Sequence, residues 1–469
     1  MKKILSSLAA ALLVSLLLFS CTDLFEPEDG SVSITLPGSG QSRRAISDNL
    51  SYYNVAVFSK SSFYDIVWDK DSDPDFNRYA TQCELNAVPR STIQFSNLDE
   101  GTYYVYVGAY DSNNKRIDAN ISSAVNVKYG KTATTSIKLS SDNKLSWLYS
   151  YPIDASTGKM ATIGSTYVYF GWFPQTVLPS TSTVTVDETS ILTMGGNTYY
   201  HGSDGNYYIK ATSTSNSYTY TDGSAVTNGE SRYFKVEPIK WRVLTTDYNG
   251  TGKALLLAED FLKALTFYAT NTSTSYGGSN QGDRTIDGTT VYANNYKYSQ
   301  LRAYLNGLDY YYYDGSSTVT KTDYNEKGFL QTAFTSTAQN FIATTTVDNS
   351  AATTADTGGN IAQATSYVCD NTRDKLFLLS EYEATTEVYG FNTYNTADDN
   401  RLRIPTDYAR ITGPYQNGGS IWWLRSPYSG SSVHVNMCTV THESKAIYKS
   451  GYTDNTGIGI VPAMTISFY

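Results

Sequence analysis

Histidine and cysteine are scarce in this chain, three and four among 469 residues. So few histidines leave only His201, His434 and His442 to act as the base that a serine or cysteine hydrolase requires. No P-loop, G-x-G-x-x-G or H-E-x-x-H occurs, which removes the best-marked phosphate, dinucleotide and zinc-protease chemistries. Charge is thin as well, at 17% of residues, and its balance is acidic, with a formal net charge of −9. Phosphate backbones demand clustered Lys and Arg, so the composition argues against a nucleic-acid partner. Beyond the N-terminus no apolar run is long enough to cross a bilayer.

What is there begins with MKKILSSLAAALLVSLLLFSC. Lys2 and Lys3 lead an apolar run that closes on small residues before Cys21, the architecture of an export signal over 1–20. Leu18-Phe19-Ser20-Cys21 resembles the lipobox of bacterial lipoproteins, whose signal is cut before the cysteine and whose cysteine is then acylated. The resemblance implies lipidation at Cys21, an acidic tether over 21–30, and a lipid-anchored place on the bacterial cell surface (the outer membrane in a diderm). Several acyl chains hold a protein stably where one is marginal. Loss of the signal removes two lysines, so the charge moves from −9 to −11 (−9 − 2). Cys83, Cys369 and Cys438 then remain, and an odd number cannot make a complete disulfide framework.

The length calls for two or more domains. Forty-two tyrosines, with many Ser, Thr and Asn, fit a β-rich extracellular protein. Residues 31–140 carry short period-two segments: SVSITL, YYNVAVFS, STIQFS, TYYVYVGAY, SSAVNVKY and TATTSIKLS. In TYYVYVGAY this places Tyr103, Val105, Val107 and Ala109 on one face and Tyr104, Tyr106 and Tyr110 on the other. The run Asn97-Leu98-Asp99-Glu100-Gly101-Thr102-Tyr103 resembles the approach to a late strand in Ig-like sandwiches, where a tyrosine ties a corner. The expectation is an all-β Ig-like spacer. The D-x-D of DSDPD, residues 71–75, lacks the glycine and terminal glutamate of an EF-hand.

From residue 145 onward the pattern changes. YVYFGWFPQ and VEPIKWRVL read as paired strands, separated by a polar insertion over 180–232 without consistent period; a second polar stretch spans 270–295. YSQLRAYLNGL places Leu301, Tyr304, Leu305 and Leu308 at i, i+3, i+4 and i+7, an amphipathic helix. EKGFLQTAF reads as a second short helix, DKLFLLSEYEA as a strand entering a turn, and PTDYARI as one helical turn. IWWLRSP and GIGIVPAMTISFY read as closing strands, giving an α+β domain over 145–469.

PIKWRVL, LLLAEDFL, LRAYLN, LQTAF, DKLFLLSEYE, TDYAR, WWLRSP and GIVPAM, in that order, resemble an uncharacterised family of bacterial surface domains related to the C-type lectin fold in its formylglycine-generating-enzyme-like form. The resemblance implies a C-type lectin-like head. Its sugar-binding calcium loop, with Glu-Pro-Asn or Gln-Pro-Asp, does not occur here, and neither does the cysteine pair of the formylglycine-generating enzymes. No activity, cofactor or metal is therefore carried over, and the domain is read as non-enzymatic.

Two of the three histidines and one cysteine fall within VHVNMCTVTHESKAIYKS, residues 433–450. The spacing H-x3-C-x3-H would share one helical face, but Val433, Val435, Thr439, Val440 and Thr441 favour strands, along which the two histidines lie about 26 Å apart. A metal site also wants further supported ligands. Glu381/Glu383 and Asp398/Asp399 could serve glycoside chemistry and the run Tyr310 to Tyr313 sugar stacking, but nothing in the spacing singles them out: the pairs read as solvated loop charges and the run as a result of abundant tyrosine. His201, in YYHGSDG, reads as a solvated loop residue. The 433–449 stretch resembles the hypervariable segment of variable proteins of diversity-generating retroelements, in which template adenines are rewritten on a C-type lectin scaffold. That resemblance implies a ligand-binding face made by His434, Asn436, Cys438, His442, Lys445, Tyr448 and Lys449, with Trp422, Trp423 and Arg425 supporting it from behind. The partner would be an extracellular protein or glycan. A fixed surface adhesin and, third, a glycan- or thiol-active enzyme are the alternatives.

Overall fold

The computed structural model describes residues 29–36, 50–137, 139, 147–216, 218–269, 284–286, 289–313, 319–355, 363–394, 396–412, 420–431, 434–440 and 446–468. The chain divides into two compact units, Met1–Ile66 with Asp71–Ser141, and Val67–Lys70 with Asp142–Tyr469.

The first unit contains strands β1 (Gly30–Thr35), β2 (Tyr52–Ser59), β3 (Gln82–Ala87), β4 (Thr92–Leu98), β5 (Gly101–Tyr110), β6 (Arg116–Ile121), β7 (Val125–Val127) and β8 (Thr132–Ser136). One sheet runs β4-β1-β8, the other β3-β2-β5-β6 with β7 on β5. Val32 and Ile34 of the first sheet pack with Tyr53, Val55, Val57, Tyr103, Val105, Val107 and Ala109 of the second in one core. The two-sheet sandwich is the expected all-β unit, compatible with an Ig-like arrangement. The Tyr103 hydroxyl donates to the Asp99 carbonyl at 3.1 Å, so this tyrosine ties the β4–β5 corner.

The other face of β5 is buried too. Helix α1 (Lys60–Asp65) stacks Phe63 on Tyr104 with ring centroids 3.9 Å apart, and α2 (Phe76–Tyr79) sets Phe76 against Tyr106. The DSDPD stretch supplies this face with structural groups. Asp73 accepts from the Tyr106 hydroxyl at 2.5 Å, from Asn54 at 3.1 Å and from Arg116 at 3.2 Å, while Asp75 caps α2.

The second unit is built on β9 (Tyr167–Val177), β10 (Val186–Met194), β11 (Asn197–Gly202), β12 (Tyr207–Thr212), β13 (Ser231–Thr245) and β14 (Ala254–Ala258). Its later strands are β15 (Lys263–Ala264), β16 (Leu376–Phe377), β17 (Ser420–Pro427), β18 (His434–Val440), β19 (Ala446–Tyr452), β20 (Gly459–Ile460) and β21 (Ala463–Ile466). A nine-stranded sheet runs β10-β11-β12-β13-β14-β21-β16, with β9 and then Ile153–Asp154 on a branch from β13. YVYFGWFPQ and VEPIKWRVL do pair, antiparallel, with Val168 opposite Trp241. Gly171 sits at φ +72° in a register shift there, and a Cβ on it would fall 2.5 Å from Phe334. Only glycine meets both conditions at low cost.

Between these strands, 180–232 is not a loop. It folds as the β10–β11–β12 meander on β13, over a core of Leu192, Tyr199, Tyr207, Ile209, Val226 and Phe234. Tyrosine supplies the apolar face, which a hydrophobic count weighted towards Leu, Ile and Val undervalues. His201 accordingly lies in β11, opposite Asp187 and Tyr207, rather than in a loop.

The expected helices form as short elements. Helix α3 (Gln300–Asn306) is capped by the Ser299 side chain and ends at Gly307, φ +67°. Leu301, Tyr304 and Leu305 are buried, but Leu308 falls beyond this stop and is 38% exposed. Helices α4 (Phe329–Ala333) and α5 (Asp407–Arg410) follow, the latter capped by Thr406.

Candidate functional site

WWLRSP forms β17, in the middle of a second sheet ordered β15-β20-β17-β18-β19. Trp422, Trp423 and Leu424 are fully buried. Burying two indoles leaves two N–H donors that need acceptors. Trp422 Nε1 donates to the Arg401 carbonyl at 3.1 Å and Trp423 Nε1 to the Leu265 carbonyl at 2.9 Å.

The next residue, Arg425, is a buried cation. Its guanidinium makes a two-pronged ion pair with Glu383, through Nη1 to Oε2 and through Nη2 to Oε1 at 3.0 Å. Its other donors reach the Leu378 carbonyl at 2.7 Å and the Asp348 carbonyl at 3.1 and 3.3 Å. Glu383 is completed by the Tyr248 hydroxyl at 2.5 Å and the Ser380 N–H at 2.8 Å. Burial pushes the Glu383 carboxyl up, but the Arg425 charge and these hydrogen bonds outweigh it, and its pKa is lowered. Burial, then the Glu383 charge, push the Tyr248 phenol up. Such a saturated cluster offers no lone pair to a substrate. It clamps β17 to the 378–383 turn and to the 348 loop.

Glu383 is therefore a structural anion rather than half of a solvated glycosidase pair, and Glu381 is buried beside it, its N–H bonded to Ser426. Asp398 is likewise buried and accepts from the Asn392 and Asn400 N–H groups, both at 2.8 Å. Only Asp399 of that pair is exposed. In the aromatic run Tyr310 is buried, stacked on Tyr312 at 5.3 Å, and its hydroxyl accepts from the Ala269 N–H; Tyr311 is 47% exposed. The exposed Tyr311 ring has the Lys321 ammonium 5.9 Å from its centre, and one exposed ring is a small stacking surface.

On this clamped strand hangs a hairpin. β18 pairs β17 antiparallel, with Cys438 opposite Trp422 and Met437 opposite Trp423. β19 pairs β18 and forms the outer strand of the sheet. Of the seven candidate binding residues, His434, Asn436 and Cys438 fall on β18 and Tyr448 and Lys449 on β19. His442 and Lys445 lie outside the described residues. His434 registers with Tyr452 and Cys438 with Ile447. Because β18 continues through Val440, the chain does not turn at Cys438. Four residues of strand separate His434 and Cys438 by about 13 Å, too far to share one metal ion.

The other two cysteines inside the described residues are free thiols, Cys83 exposed and Cys369 partly buried. Burial pushes the Cys369 thiol up to about 11, the opposite of an activated nucleophile.

Residues 251–468 match a family described as Domain of unknown function (DUF6273). The match takes in the clamp residues Glu383 and Arg425, the hairpin and β14 to β21. It begins after β13, although the sheet runs on through β13 to β9 and the β10–β12 meander, so the folded unit is larger than the matched segment. No curated protein and no solved structure matches the chain.

Proposed function

We propose that this chain is a cell-surface lipoprotein whose second unit, with a C-type lectin-like fold, binds an extracellular protein or glycan through the β18–β19 hairpin. One observation carries the reading: the stretch unlike the rest in composition lies on the outer hairpin of a sheet whose neighbouring strand is fixed by two buried tryptophans and a buried ion pair. Packed strands cannot tolerate random side chains, whereas an outer hairpin can. Residues 433–449 are then a window open to adenine-directed diversification except at Val435, which is fully buried in the main core, and His434, Asn436, Cys438, His442, Lys445, Tyr448 and Lys449 make the ligand face. Tyrosine supplies rigid contact area there and asparagine adaptable hydrogen bonds.

The DNA flanking the coding sequence tests the diversification. A near-identical copy of the segment beside a reverse-transcriptase gene is expected, with mismatches at template adenines in the codons of His434, Cys438, His442 and Tyr448. The codons of Trp422, Trp423 and Pro462 should match. Absence of a repeat, or mismatches indifferent to adenine, reduces the protein to a fixed adhesin. Attachment is tested separately: Cys21→Ala should leave the precursor uncleaved or release the protein from membranes, and unchanged detergent partitioning removes the anchor.

A further inference from the structure

We propose that Asn249 is a site of spontaneous modification, where the side-chain amide is lost, the chain rearranges to isoaspartate, and the Glu383–Arg425 cluster loses the support of Tyr248. Asn249 and Gly250 are exposed at the tip of the β13–β14 hairpin. Both have positive φ, +52° and +70°, the turn conformation that Asn-Gly accommodates best. A backbone bond from the Thr251 N–H to the Tyr248 carbonyl, 3.1 Å, closes the turn. The same tyrosine is buried and donates its hydroxyl to Glu383.

Four Asn-Gly pairs occur, at Asn228, Asn249, Asn306 and Asn417, the last outside the described residues. Glycine after asparagine leaves the next backbone nitrogen open to reaction, because no side chain stands beside it. The fold then separates the pairs. At Asn306 the side chain is locked: its amide donates to the Arg302 and Leu376 carbonyls, and its oxygen accepts from the Lys375 and Leu376 N–H groups. At Asn228 the attacking group is held instead, since the Gly229 N–H donates to the Ser213 carbonyl at 2.8 Å. At Asn249, among the described residues, neither the side chain nor the Gly250 N–H is bonded. The Gly250 nitrogen, yielding its proton to solvent base, attacks Asn249 Cγ; the bond to the amide nitrogen breaks, and ammonia leaves with a proton. Water then opens the cyclic imide. Opening at the side-chain carbonyl gives aspartate and opening at the main-chain carbonyl gives isoaspartate, with no change of oxidation state. Isoaspartate routes the backbone through Cβ and Cγ, which lengthens the turn next to Tyr248.

Incubation of the full chain in mildly alkaline buffer, followed by proteolytic mapping and mass spectrometry, tests the assignment. The peptide holding Asn249 should gain the mass of amide-to-acid conversion well before those holding Asn228 and Asn306, and should split into two products of equal mass. The converted chain should melt several degrees lower. Asn249→Gly, which keeps the positive-φ turn and has no amide, should neither gain mass there nor lose stability during incubation. Asn249→Asp, measured fresh, should melt with the native chain, because it carries the new charge on an ordinary backbone. Conversion at Asn249 no faster than at Asn228 or Asn306 overturns the site. An unchanged melting temperature after conversion, or an equal fall in fresh Asn249→Asp, overturns the effect of isoaspartate on Tyr248.

Discussion

Arg425→Met is expected to destabilise the second unit by about 3–5 kcal/mol, the usual effect of breaking a buried ion pair from one side. Methionine fills much of the same volume, so lost packing is a minor part. The large part is Glu383, which keeps its charge in a site that excludes water and retains only the Tyr248 and Ser380 donors. Adding Glu383→Gln should therefore recover part of the loss, and a double-mutant cycle should show strong coupling. Five of the six tryptophans lie beyond residue 142, so tryptophan fluorescence in urea follows the second unit. Additive single losses would show that the pair is not coupled and that the clamp does not hold β17.

The same pair fixes a pH dependence. The folded-state pKa of Glu383 is lowered, so its contribution is complete above the unfolded value of about 4.3 and is lost as pH falls through the lower folded value. Glu383→Gln should flatten the acid limb of the stability curve in that window and leave the curve above about pH 6 parallel to that of the native chain.

How much of this was legible in the sequence depended on whether a residue's role is local. The faces of TYYVYVGAY follow from period two alone, and Tyr103, Val105, Val107 and Ala109 do share the sandwich core. The α3 helix was legible from the spacing of Leu301, Tyr304 and Leu305, and the Gly307 stop, which the spacing does not show, explains why Leu308 escapes the apolar face. The β10–β12 meander was not legible: its pattern is written in tyrosine and threonine, which serve equally as surface residues. Glu383 was hidden for another reason. A carboxylate in an acidic turn reads as solvated until its partner is known, and Arg425 lies 42 residues away. The one available hint was an arginine inside a strand of tryptophans, a buried cation that has to find an anion. The β18–β19 hairpin was legible as an unusual composition and as strand-favouring residues, but composition cannot place a turn, and the strand runs past Cys438 to Val440.

Trp423→Ala carries the second large effect. The side chain is fully buried, its ring meets Phe267 edge-on at 5.6 Å, and its N–H satisfies the Leu265 carbonyl next to β15. Truncation leaves a cavity and an unmatched acceptor, together about 3–5 kcal/mol. Its neighbour in register is Met437, so the loss falls on the strand from which the hairpin hangs. Replacing His434, Cys438 and His442 together by serine is expected to move stability by about 0.5 kcal/mol or less per site, as display positions do. The two variants separate scaffold from display. If Trp423→Ala unfolds the second unit while the triple serine variant melts with the native chain, β17 bears the fold and the hairpin is free to change. A triple variant as unstable as Trp423→Ala would mean that these hairpin residues are packed into the fold, and a packed hairpin cannot serve as a surface for diversified binding.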